Sequence, residues 1–209
     1  MVIVMTKIEI ARNRHSIRLC EYDYSQAGAY FVTVCSWEQE CRFGNVEGGD
    51  IRLNRLGEIV RDEWLRTAEI RMEIELGEYV VMPNHLHGII LITDTVGAHG
   101  VRPSEVEIDR IPNESTRRTE MGQTPTGRTP CAPTMNRKPK SLGALIAGFK
   151  SSVTKRINIL RDKPGGPMWQ RNYYEHVISD EADYRRIADY ITHNPLRWTE
   201  DSLHPSASP

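Results

Sequence analysis

The chain has 209 residues, 39% hydrophobic and 26% charged, with a formal net charge of −1 at pH 7. That length holds one ordinary domain with a real core and hardly two, and no stretch approaches the roughly 18 apolar residues of a membrane helix. The opening Met1-Val2-Ile3-Val4-Met5 is too short for a signal-peptide core, while four cysteines without C-x-x-C spacing argue against a zinc ribbon or disulfide framework and suit a reducing cytoplasm.

The near-zero net charge conceals segregation. From Met121 to Arg161 there is no Asp or Glu, yet this stretch holds Arg128, Arg137, Lys138, Lys140, Lys150, Lys155, Arg156 and Arg161. Such a chain can present one strongly positive surface to nucleic acid while staying neutral overall. The plainer alternative is a solvated loop and an ordinary polar helix face.

In chain order, residues 1–28 read as a polar N-terminal segment with a basic cluster at Arg12, Arg14 and Arg18. Tyr30 to Cys35 is β-branched and aromatic, a good first strand. Leu56, Ile59, Val60 and Trp64 follow helical spacing, with Asn54 as a candidate N-cap. A strand then ends near Met82, and Pro83-Asn84 marks a bend before a second strand that runs to Thr93. The short connection predicts an antiparallel pair. Residues 94–140, rich in Gly, Pro, Thr, Arg and Ser, read as a disordered insertion. Ser141 can cap a helix with Leu142, Leu145, Ile146, Phe149, Val153, Ile157 and Leu160 on one face. Met168 to Ile178 reads as extended. A last helix spans about 181–193 and stops near Asn194, because Pro195 follows. The residues from 199 to 209 read as a loose tail.

The first six elements spell βαββαβ. That order predicts an α+β fold: a ferredoxin-like antiparallel sheet with helices packed on one face, plus a C-terminal helix. A single domain over 29–198, interrupted by the insertion, follows.

The segment Tyr79 to Ile92 contains His85-Leu86-His87 at the start of a strand. Residues i and i+2 of a strand share a face, so both imidazoles can aim at one point, as a divalent cation requires. A chance His-x-His is the competing reading. On the last helix Tyr184, Ile187, Ala188 and Ile191 form the core stripe, while Tyr190 and Asn194, four apart, share a bordering face. An amide oxygen suits a hard cation, and a tyrosine is a competent nucleophile once activated. Against that, Tyr190 could simply pack and Asn194 could simply cap. Tyr173 and Tyr174 are rival nucleophiles without an Asn partner at helical spacing. Trp169, Arg171 and Tyr173 share one face and could grip DNA, with core packing an equal option for Trp169.

These segments, together with Met168-Trp169-Gln170-Arg171-Asn172-Tyr173-Tyr174-Glu175-His176, Tyr190-Ile191-x-x-Asn194-Pro195 and the stretch Arg14 to Phe31, resemble the single-tyrosine HUH transposases, and more narrowly the REP-associated tyrosine transposases. The resemblance runs from about residue 12 to 198 outside the insertion. It implies Tyr190 as the catalytic residue and His85, His87 and Asn194 as ligands of Mg²⁺ or Mn²⁺. It implies nicking and strand transfer of single-stranded DNA at hairpins or palindromic repeats through a 5′-phosphotyrosine, by a monomer or homodimer. Lys150, Lys155, Arg156, Arg171, Arg14 and Arg18 are candidate DNA-binding cations. The rival expectation is a non-catalytic ferredoxin-like module that holds hairpin DNA or RNA; a third is a phosphodiesterase that uses water.

Overall fold

The computed structural model describes residues 22–93, 140–162 and 165–207. Its strands are β1 (Gly28–Cys35), β2 (Gly44–Glu47), β3 (Asp50–Leu53), β4 (Ile74–Val81), β5 (His85–Ile92) and β6 (Tyr174–Ile178). Its helices are α1 (Arg55–Ile70), α2 (Leu142–Arg161) and α3 (Glu181–His193), and a 3₁₀ segment Pro195–Glu200 follows α3.

Four strands form one antiparallel sheet in the order β4-β5-β1-β6. With α1 between β1 and β4, and α2 between β5 and β6, this is the ferredoxin-like βαββαβ plan that the element order predicts. The sequence reading contains no counterpart of the β2–β3 hairpin, whose four-residue strands turn at Gly48-Gly49, both with positive φ. Each helix starts where a side chain satisfies its first free N–H groups. Asn54 accepts from the Leu56 and Gly57 amides, Ser141 from Ala144 and Asp180 from Asp183.

The side chains of the sheet divide by alternation. Tyr30, Val32 and Val34 of β1, with Leu86 and Ile90 of β5, join Val60 and Trp64 of α1 and Leu145, Ile146, Phe149 and Val153 of α2 in the main core. Ala29 and Phe31 of β1, Ile89 of β5 and Ile178 of β6 face the other way, onto Ile187 and Ile191 of α3. So α1 and α2 cover one face, as expected, and α3 crosses the opposite one. Gly77 lies at the register shift of β4, where a β-carbon would come within 2.7 Å of the Tyr184 hydroxyl. That hydroxyl donates to Glu78 Oε2 at 2.8 Å, fastening α3 across β4.

Two expectations change. Leu160, placed on the apolar stripe of α2, is 50% exposed, because it lies beyond Ile157, the last buried residue of the helix. The tail expected to be loose, residues 199–209, instead buries Asp201 and Leu203. The bulk of the insertion and residues 1–21, including Arg14 and Arg18, lie outside the described residues. Among the described residues no helix is long and apolar enough to cross a membrane.

Candidate functional site

β5 sets the histidine pair. His85 and His87 are buried on the α3 face, opposite Cys35 and Thr33 of β1, while Leu86 between them enters the main core. Each ring is held by its Nδ1. His85 Nδ1 lies 2.7 Å from Asn84 Oδ1, an atom that can only accept, so this nitrogen carries the proton. His87 Nδ1 lies 2.8 Å from the Thr33 hydroxyl. Both Nε2 atoms therefore point at one place, 3.0 Å apart.

α3 brings Tyr190 to the same place. Its hydroxyl is 3.2 Å from His87 Nε2, and its ring stands edge-on to Phe31 and His87. Tyr173 and Tyr174 split between the two faces of the sheet, packing on the main core and on the α3 cluster respectively. Asn194 follows α3 and is buried. Its Nδ2 donates to Asp201 Oδ2 at 2.8 Å, and its Oδ1 is a buried atom without a hydrogen-bond partner.

Electrostatics set the protonation states. Burial lowers the His85 pKa to about 3. Burial, then repulsion from His85, lowers that of His87, against an opposing pull from Asp201. Both rings are thus neutral bases at neutral pH, the form that binds a metal. Burial and then the charge of Asp201 raise the Tyr190 pKa, opposed by a hydrogen bond with Asn194. The phenol by itself stays protonated.

The donor set fits a divalent cation. Two imidazole Nε2 atoms meet at a buried point, 3.0 Å apart, and a buried amide oxygen is left unpaired. Neutral nitrogen and oxygen donors of this kind suit a divalent cation. Asp201, absent from the sequence reading, forms with His85 and His87 a group whose ligand atoms lie within 4.8 Å of one another. Thr33 was also missed, since His87 becomes its neighbour only once β1 and β5 pair, and Asn84 was read only as a bend residue although it adjoins His85.

The basic candidates are not gathered with these residues. Lys150, Lys155 and Arg156 lie on α2, across the sheet from the histidines. Lys150 Nζ donates to the Gln170 and Asn172 carbonyls at 2.8 and 2.9 Å, which ties α2 to the segment before β6. Arg156 meets buried Glu63 at 2.8 Å. Lys155 and Arg171 are exposed. Trp169 is buried against Phe43 and Phe149 and donates to the Lys150 carbonyl, so it belongs to the core.

The fold class is therefore a ferredoxin-like sheet whose histidine-bearing strand is covered by a tyrosine-bearing helix. A solved REP-associated tyrosine transposase bound to a REP hairpin has this fold: it matches 85% of this chain and 72% of its own with a TM-score of 0.50, at 17% identity. By sequence, the chain is 33% identical over 192 residues to a Haemophilus influenzae protein described only as uncharacterized, covering 92% of this chain and 93% of that one. The chain belongs to the family of that protein. No family model matches it.

Proposed function

We propose that this protein nicks and rejoins single-stranded DNA at hairpins, as a single-tyrosine transposase-type enzyme with a divalent cation. The observation that carries the reading is the Tyr190 hydroxyl 3.2 Å from a histidine whose Nε2 faces a second imidazole. The fold shared with a transposase bound to a REP hairpin supports hairpin DNA as the substrate class.

In this reading His85, His87 and Asn194 would hold Mg²⁺ or Mn²⁺, which would supply a Lewis acid toward a phosphodiester oxygen. The Tyr190 hydroxyl gives up its proton to solvent and its oxygen attacks the phosphorus. The bond from phosphorus to the 3′ oxygen breaks, that oxygen takes a proton, and the 5′ phosphate remains esterified to Tyr190. Attack by a 3′ hydroxyl reverses these steps and joins strands. Thr33 and Asn84 orient the imidazoles through Nδ1. Of the four candidate DNA-binding cations among the described residues, Lys155 and Arg171 are the exposed ones and would be free to meet a phosphate backbone.

Tyr190→Phe is expected to remove the covalent adduct with a single-stranded hairpin oligonucleotide in Mn²⁺, scored by denaturing gel. An undiminished adduct in that variant would sink the assignment. Cleavage without any adduct would instead favour a water nucleophile.

A further inference from the structure

Asp201 is a buried carboxylate whose hydrogen-bond partners are neutral. Its Oδ1 accepts from the Leu203 amide at 2.7 Å and its Oδ2 from Asn194 Nδ2 at 2.8 Å, and among the described residues no Lys or Arg pairs with it. A buried charge is costly unless an opposite charge or a metal ion meets it. The nearest titratable neighbours are the two histidines: one ligand atom each from His85, His87 and Asp201 lie within 4.8 Å of one another. The two hydrogen bonds do not exhaust the carboxylate, since an ionised one offers about four lone-pair sites. Its place is held by Asn84, whose Nδ2 donates to the Leu203 carbonyl at 2.8 Å while its Oδ1 accepts from His85 Nδ1, so one side chain fixes both the tail and a histidine ring. Asn194, for its part, acts here as a donor. Its Nδ2 serves Asp201, and its hydrogen bond with Tyr190 lowers the phenol pKa, as a donor to the phenol oxygen does.

We propose that Asp201 supplies a carboxylate oxygen to the divalent cation of this site, as its anionic ligand beside the imidazoles of His85 and His87. The proposal rests on the cation-binding reading above and adds the negative donor which that reading lacks. A hard, charged oxygen binds Mg²⁺ or Mn²⁺ more tightly than neutral donors alone, and the cation in turn neutralises a charge that burial makes costly. Asn194, donating to Asp201, then joins this ligand to Tyr190. The competing role for Asp201 is a clamp that only holds Leu203 and Asn194 in place.

The test is metal binding to the full chain without DNA. With Mn²⁺, followed by the EPR signal of the free ion, Asp201→Ala is expected to weaken binding by more than about 100-fold, beyond the roughly 10- to 100-fold lost with a group that only orients a ligand. With Co²⁺ under reducing conditions, Asp201→Cys is expected to show a thiolate-to-metal charge-transfer band in the near ultraviolet that the wild type lacks, because a sulfur stands where the ligating oxygen stood. If neither variant folds, wild-type protein isotope-labelled at its aspartate carboxyls carries the test: Mn²⁺ is expected to shift a carboxylate stretch in the infrared difference spectrum. A loss in Asp201→Ala below about 100-fold, a Co²⁺ complex of Asp201→Cys without that band, or an unshifted stretch in the wild type overturns the ligand role alone. Wild-type protein that takes up no Mn²⁺ overturns the cation-binding reading beneath it.

Discussion

The two faces of the sheet handle burial in opposite ways. Toward α1 and α2, β1 and β5 send Tyr30, Val32, Val34, Leu86 and Ile90 into a core closed by Trp64 and Phe149. Toward α3, the same strands send Ala29, Phe31 and Ile89 into a smaller apolar cluster, but beside it Thr33, His85 and His87, and the neighbouring elements add Asn84, Asn194 and Asp201, all buried. Apolar contact stabilises the first face roughly in proportion to area. The second carries desolvated polar atoms, which destabilise unless each finds a partner. One strand can serve both because its side chains alternate: Leu86 anchors the backbone that aims the histidines on either side of it. The apolar face is thus the support on which a costly polar arrangement is held.

Three changes test that division. The largest effect is expected from Trp64→Ala, which removes a fully buried indole from the apolar face. Unfolding in urea should show a loss of about 3–5 kcal/mol. A loss under about 1 kcal/mol would mean that α1 is not what supports the sheet.

The polar face should show itself through pH. Burial holds His85 at about 3 and His87 below its ordinary value. The unfolded chain binds these protons near pH 6.5 while the native chain stays neutral to much lower pH. Stability is therefore full above about 6.5 and falls as pH drops toward about 3, by at most about 1.4 kcal/mol per pH unit for each histidine. Urea melts with EDTA at pH 7, 6 and 5 measure the slope. The double variant His85→Gln with His87→Gln should flatten it; an equal slope in that variant would assign it elsewhere.

The smallest of the three is Gly88→Ala. A β-carbon there would stand 2.4 Å from Trp64 Cζ2, so the indole must shift. Overpacking of this kind costs about 1–3 kcal/mol. The added methyl points to the apolar face, so Mn²⁺ affinity should stay near that of the wild type. A large drop in affinity would mean that strain passes through the backbone from one face to the other.

Much of this division was legible in the sequence. The His-Leu-His alternation gave both faces of β5, the stripe of Ile187 and Ile191 gave the buried side of α3, and Asn54 and Ser141 stand where two of the helices begin. These are local signals, carried by spacing and capping chemistry within a few residues. Asp201 had no such signal. It lies in a polar stretch after a proline-stopped helix, and its meaning comes from Asn194 and from a tail that Asn84 pins across the sheet. The β2–β3 hairpin was hidden by the shortness of its strands, although Gly48-Gly49 marks its turn. Lys150 and Arg156 read as free cations because their partners, the carbonyls of Gln170 and Asn172 and the carboxylate of Glu63, lie 20 or more positions away in the chain.

The direction of β5 has one more consequence. The histidines stand at its start and Ile92 at its end, seven residues or roughly 24 Å beyond His85. Thr93, bonded through its amide to the Glu73 carbonyl at 2.8 Å, is the last described residue before the chain leaves for positions 94–139. Thr93 thus marks the rim farthest along the strand from His85. A dye attached at this rim and another on a DNA hairpin would make β5 a built-in ruler, reporting by energy transfer how close the hairpin comes to the tyrosine.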